Sequence, residues 1–299
     1  MNDQFPFSFN PHCEKLDEKI LRWAWGKGLF EDPSELERCR TQQINSFCGF
    51  LYPDFEEEKL ERVMKFFLTL FLLDDLMDID LSEEKLQFLE ELNEEDHLTF
   101  PEDERLGRLG NQVSELFDTI GEEILPIAHR EEWQRAWQLY IGSLHWEVSN
   151  KLYDKIPDLG VYKTFRPFTS GVNLAILINR SGFFDESCKS SLLEGLIARY
   201  ICLSNDLDSF EKEKLLQDYH NEVILLQRTT NQDVIPWVKN DLRTVQRRIL
   251  QLAEQLKAQS DSCIKWVDSL LHLVGGCVTW SKVTYRYSAH INGKPGFNH

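Results

Sequence analysis

The chain has 299 residues, is 42 % hydrophobic, and carries a net charge of −17 from 33 Lys and Arg against 50 Asp and Glu. That length and apolar content suffice for one large core or two small ones. The acidic balance argues against nonspecific nucleic-acid binding and against anchoring on an anionic membrane surface. It also repels anions at long range, so any phosphate site must be locally basic or metal-loaded.

Helical periodicity runs through nearly the whole chain, and no window alternates as a strand does. Leu16, Ile20 and Trp23, with Gly28 after them, outline a first helix, and Pro33-Ser34 open a second. Pro53 precedes a long helix whose segment Phe66 to Leu73 is apolar but for Thr69 and far too short to cross a bilayer. The acidic stretch from Glu90 to Glu104, which contains Pro101, reads as a loop or an exposed helix end. Further helices are expected at 105–123, 129–152, 158–180, 188–216, 220–229, 232–259 and 261–287, separated by breakers at Gly121, Pro126, Pro157, Gly160 and Gly182. Pro167 and Gly171 should break or kink the 158–180 segment. The expected fold class is all-α, with a loose N-terminal segment (1–13) and a loose tail (289–299). The seven cysteines (13, 39, 48, 188, 202, 263, 277) are odd in number, scattered and without a CxxC. They read as reduced thiols of a cytoplasmic protein, in keeping with a start, MNDQFPFSFNPH, that has no leader-like pattern.

Two acidic motifs carry the chemistry. In Asp74-Asp75-Leu-Met-Asp78, a helix puts Asp74 and Asp78 one turn apart on one face, with Asp75 about 100° round. In Asn205-Asp206-Leu-Asp-Ser209-Phe-Glu-Lys-Glu213, the spacing i, i+4, i+8 aligns Asn205, Ser209 and Glu213 in one row. An acidic run is by default a solvated helix face. Here the first motif follows an apolar run, and buried carboxylates need partners. Hard oxygen donors of this kind suit Mg²⁺, which completes its shell with water and phosphate. An EF-hand starting at Asp78 is excluded, because Glu83 stands where its loop needs Gly and Leu89 where it needs Glu. Two such clusters suggest a clamp for a diphosphate. Phe67 and Phe71 lie on the Asp74 face, and Trp280 and Tyr287 share a face at i, i+7. Such stripes are ordinarily core, but above a clamp they can wall an apolar pocket.

Both motifs resemble those of the class I terpene synthases, whose patterns are DDxxD and N-D-[LIV]-x-S-x-x-x-E. Tyr162-Lys-Thr-Phe-Arg166 resembles the family's YxxxR diphosphate-sensing element, His220-Asn221 follows the second motif as HN often does there, and Trp280 with Arg286-Tyr287 matches the W-x5-RY closing element. The match runs in order over about residues 17–290. The resemblance implies one domain over 1–299, an α-helical bundle around a central apolar cavity. It assigns Asp74, Asp75, Asp78, Asn205, Ser209 and Glu213 to Mg²⁺, three ions per site, with Asp75 and Asp78 less direct than Asp74. Arg166 becomes the diphosphate sensor, Thr169 its linker, and Ser170 the residue whose carbonyl faces the substrate. Arg166 lies closer to Asn205 than bacterial members lead one to expect, so Arg180 stands as an alternative sensor. Arg286 and Tyr287 become diphosphate donors that close the mouth, and Phe71 and Trp280 the wall.

The implied reaction is ionisation of a prenyl diphosphate and cyclisation of the cation, with farnesyl diphosphate (C15) as substrate and geranylgeranyl diphosphate (C20) as the alternative. The implied partners are that substrate and, at most, a second copy of the chain, with neither nucleic acid nor membrane insertion. A chain-elongating synthase of the same fold would carry a second DDxxD where this chain has NDLDS. A non-catalytic helical interaction scaffold is the reading from a different class.

Overall fold

The computed structural model describes residues 5–94, 99–184 and 186–286. Tyr287 and the tail therefore lie outside the described residues. Thirteen α-helices and no strand occur among the described residues. They are α1 (Cys13–Gly26), α2 (Pro33–Thr41), α3 (Ser46–Leu51), α4 (Glu57–Met77), α5 (Glu83–Leu92), α6 (Arg105–Thr119), α7 (Arg130–Leu152), α8 (Leu159–Thr169), α9 (Val172–Phe183), α10 (Ser191–Leu216), α11 (Glu222–Thr230), α12 (Ile235–Lys257) and α13 (Asp261–Val283).

Several boundaries are set by local chemistry. Asp32, Ser82, Asp158, Ser190, Asn221 and Ser260 each accept hydrogen bonds from the first free backbone N–H groups of the helix that follows. Ser190 starts α10 three residues later than the spacing predicts. The 158–180 segment does break, but beyond Pro167: α8 runs through the proline to Thr169, and the chain turns at Gly171, whose φ of 66° favours glycine. The last helix ends at Val283 rather than 287, where Thr284 turns extended and its hydroxyl donates to the Gln42 carbonyl at 2.5 Å.

Helix α4 lies at the centre, packed by α1, α3 and α6. Leu60, Met64, Phe66, Leu68, Leu72, Leu73 and Met77 are all buried, so α4 is apolar on most of its circumference, as a central helix must be. Helix α13 crosses α3 at close range: a Cβ on Gly276 would fall 2.1 Å from the Phe50 carbonyl oxygen, and one on Gly275 2.0 Å from that of Pro6.

That contact corrects the expectation of a loose N-terminus. Within 5–12, Phe5 and Asn10 are buried, and Asn10 Nδ2 donates to the Tyr52 and Phe55 carbonyls at 2.8 Å. The cysteines also differ from expectation. Cys188 and Cys263 are joined in a disulfide, Cα atoms 5.2 Å apart, because the short turn Glu186–Cys188 docks on the start of α13. Cys13, Cys39, Cys48, Cys202 and Cys277 are free.

Candidate active site

Helices α4, α7, α10 and α13, with the α8–α9 break, enclose a cavity of about 220 Å³. One turn after another, Phe67, Leu70, Phe71, Asp74 and Asp78 of α4 face it, so the apolar run and the carboxylates occupy one stripe. Phe47, Leu51, Val172, Ala175, Leu273 and Trp280 complete the apolar wall. The aromatic rings interlock: Phe47 meets Phe67 and Phe71 at 5.4 Å between centroids and Trp280 at 4.9 Å. Trp280 is oriented by its indole N–H, which donates to the Gln43 carbonyl at 3.0 Å. Phe47 escapes a reading of the sequence because α3 is only six residues long and shows no periodicity.

The three aspartates of α4 have different fates. Asp74 and Asp78 line the cavity mouth, their side chains 42 % and 52 % exposed toward it. Protein packed behind them, and then Asp78 itself, push the Asp74 carboxyl up to about 7. Asp75 does not line the cavity. It points behind α4 and accepts from Arg38 Nη1 at 2.7 Å and Arg286 Nη2 at 2.8 Å. Burial acts to raise its pKa, but these two guanidinium charges prevail and hold it at about 2. A carboxylate so committed is not placed to take a metal.

The second motif lies across the mouth on α10. Asn205 and Glu213 line the cavity, whereas Ser209 is buried one step behind, its hydroxyl donating to the Asn205 carbonyl at 2.8 Å. Glu213 accepts from Asn221 at 2.6 Å, yet burial still drives its carboxyl up to about 8. Asn221 Nδ2 also lies 3.5 Å from the Ser209 hydroxyl, so one buried amide aligns two members of the row. Asp206, between them in sequence, turns inward to anchor Arg166 Nε at 2.8 Å and the Tyr162 hydroxyl at 2.8 Å.

Arg166 thus stands at the mouth, with Nη2 also donating to Asn205 Oδ1 at 2.6 Å and Thr169 Oγ1 3.5 Å from Nη1. Arg180 does not reach the cavity. It is buried in ion pairs with Glu132 and Glu194. At the helix break, Ser170 N reaches back to Arg166, Gly171 N to Phe168, and Ala175 N begins the next helix on Gly171. The Ser170 carbonyl is skipped by these turn bonds, and Ser170 lines the cavity.

Among the described residues, the rim sets four cations among five carboxylates, Asp74, Asp78, Glu147, Glu213 and Asp218. Arg166, Lys212, Arg286 and Lys151 all line it. Lys212 was readable from the sequence, since it follows Asn205 by seven residues and shares its face. Lys151 and Glu147 on α7 carry no such signal. Arg286 also places its guanidinium 5.2 Å from the Phe71 ring centre. Tyr287 falls outside the described residues.

Donor chemistry is compatible with Mg²⁺: a carboxylate on α4 faces an amide oxygen and a carboxylate on α10, and burial, then neighbouring carboxylates, push Asp74 and Glu213 toward protonation. Glu147, Asp218 and His220 form a further group whose ligand atoms lie within 4.8 Å of one another.

Comparison with known proteins agrees. Residues 65–247, which include both motifs, match the family described as terpene synthase family 2, C-terminal metal binding. The chain is 25 % identical to a (3S,6E)-nerolidol synthase from Selaginella moellendorffii, with 97 % of this chain and 83 % of the relative covered. It is 23 % identical to pristinol synthase from Streptomyces pristinaespiralis, with 95 % and 83 % covered. In three dimensions it resembles the linalool/nerolidol synthase from Streptomyces clavuligerus, with a TM-score of 0.77 at 15 % identity over 92 % of this chain and 98 % of that one. With both motifs facing one aromatic cavity in an all-α bundle, and with the family match over most of the chain, this protein belongs to the class I terpene synthases.

Proposed function

We propose that the chain is a Mg²⁺-dependent sesquiterpene synthase that ionises farnesyl diphosphate and cyclises the resulting cation. The observation that carries this is the division of one cavity into a charged rim and an aromatic floor. The rim holds Asp74, Asn205 and Glu213 with Arg166, Lys212 and Arg286; the floor holds Phe47, Phe67, Phe71 and Trp280. A relative whose name specifies (2E,6E)-farnesyl diphosphate cyclising, the 7-epi-alpha-eudesmol synthase of Streptomyces viridochromogenes, is 21 % identical over 97 % of this chain.

Asp74, with Asp78 beside it, would hold Mg²⁺ on one side of the mouth, and Asn205, Ser209 and Glu213 on the other, three ions in all. When bound, the metal withdraws charge from the leaving diphosphate. Arg166, Arg286 and Lys212 donate hydrogen bonds to the diphosphate oxygens, strengthened as negative charge builds on them. The aromatic faces of Phe71, Phe47 and Trp280 stabilise the allylic cation. The Ser170 carbonyl adds a negative dipole end at the helix break. Among the described lining residues no carboxylate or histidine belongs to the apolar floor, so the departing diphosphate is the base at hand. Incubation of the purified chain with C10, C15 and C20 prenyl diphosphates and Mg²⁺, read by gas chromatography, tests the reading. Cyclic C15 hydrocarbons or alcohols are expected. Turnover of the C20 substrate alone would make the chain a diterpene synthase, and no product from any of the three would refute the catalytic reading.

A further inference from the structure

A lysine stands where three carboxylates converge. Lys151 Nζ is 2.7 Å from Asp78 and 2.9 Å from both Glu147 and Asp218, with its side chain 14 % exposed. The three acids come from different places: Asp78 caps the end of α4, Glu147 lies one turn before the lysine on α7, and Asp218 follows the end of α10. Asp218 in turn accepts from the His220 backbone N–H at 2.9 Å and lies 2.9 Å from His220 Nδ1. The next residue, Asn221, is the one that holds Glu213. A continuous path therefore runs from the first acidic motif, through one ammonium group, to the turn that orders the second.

On the diphosphate-clamp reading above, we propose that Lys151 is a positioning residue that sets the two metal-binding motifs relative to one another. Its ammonium draws the Asp78 carboxylate toward α7 and ties it to Asp218. It thereby fixes both the end of α4 and the turn that presents Asn221 to Glu213. Asp78 on this view serves the lysine, and Asp74, 3.7 Å from Arg286 Nη2, remains the first-motif carboxylate that faces the mouth. The ligands must sit within a fraction of an ångström of their working positions to share an ion across the mouth, and a flexible mouth without this tie would lose that alignment.

The test uses the full chain, with Mg²⁺ and inorganic diphosphate as probe. Thermal melts of wild-type, Lys151→Met and Lys151→Arg proteins are recorded across a Mg²⁺ titration at fixed diphosphate. Removing the lysine also lowers the melting temperature without metal, because three carboxylates are left facing one another. The readout is therefore the Mg²⁺ midpoint of the stabilisation. Lys151→Met should raise that midpoint roughly ten-fold or more, as loss of an outer-shell partner does at metal sites, and Lys151→Arg should recover part of it. If Lys151→Met does not fold, Asp218→Asn removes one leg of the tie and should shift the midpoint in the same direction. A folded Lys151→Met protein with an unchanged or lowered midpoint overturns the inference alone. A wild-type protein that does not respond to Mg²⁺ and diphosphate overturns the clamp reading, and this inference with it.

Discussion

Asp75 and Arg286 stand 211 residues apart in the chain and meet at 2.8 Å, with Arg38 closing the same carboxylate from the other side at 2.7 Å. The aspartate is 11 % exposed, so this is an ion-pair triad inside the protein. It ties the end of α13 to α4 and aims a guanidinium at the mouth. Asp75→Ala should cost about 3–5 kcal/mol, the usual result of leaving a buried charge unpaired, and should lower turnover because Arg286 loses its anchor. Asp74→Asn should leave the metal-free melt nearly unchanged or raise it, yet abolish the response to Mg²⁺. Chemical denaturation and Mg²⁺ melts of the two variants check this contrast, and identical behaviour would contradict the division of roles.

Asn205→Ala and Glu213→Ala should each reduce turnover by at least about 10²-fold while the helical circular dichroism is kept. Each removes an oxygen donor from the mouth, and Asn205→Ala also frees Arg166 from its 2.6 Å contact. Loss of a positioned electrostatic group typically has this magnitude. Near-wild-type rates at saturating Mg²⁺ would remove α10 from the metal site.

The aromatic box should control the product rather than the binding of diphosphate. Phe47→Leu and Trp280→Phe are expected to redistribute products or release acyclic ones, with little change in KM. Full truncation, Trp280→Ala, should cost about 3–5 kcal/mol as well as the hydrogen bond to Gln43. An unchanged product profile in folded variants would make these rings plain core.

Stability without metal should depend on pH in a definite direction. Asp74 is raised from 3.8 to about 7 and Glu213 from 4.5 to about 8 in the folded chain. The folded state then binds more protons than the unfolded one between these values. The stability they contribute is full below about pH 4 and is lost as pH climbs through 7 and 8. Melting temperature attributable to these groups should therefore fall from pH 5 to pH 8, and Mg²⁺ with diphosphate should flatten that fall, since the cation replaces the proton. Melts of Asp74→Asn and Glu213→Gln, which lack the titration, provide the control; an unaltered slope in both would show that neither group drives it.

The Cys188–Cys263 bond closes a span of 75 residues. Cys263→Ser should cost roughly 2–5 kcal/mol without changing the product, because neither cysteine lines the cavity. Melts with and without reductant should show the same difference in the parent protein and none in the variant.

Local sequence determined the elements and the chemistry that rides on them. A 3.6-residue period specifies helices whatever they pack against, so the all-α class follows from it, and the same period places Asn205 and Glu213 on one face of α10 and Phe71 and Asp74 on one face of α4. Gly171 announced the helix break because few other residues adopt its backbone. What only the tertiary structure decided is which oxygen atoms are free. Asp74 and Asp75 are identical neighbours in sequence; 100° of rotation sends one to the mouth and the other to Arg38 and Arg286, residues from two distant helices' ends. The YxxxR pattern favours Arg166 over Arg180 in the sequence, but only packing shows Arg180 buried against Glu132 and Glu194, away from the cavity. Phe47, Lys151 and the Cys188–Cys263 pair were invisible for the same reason: their roles come from packing partners distant in sequence, and periodicity within one helix carries no information about which helix will face it.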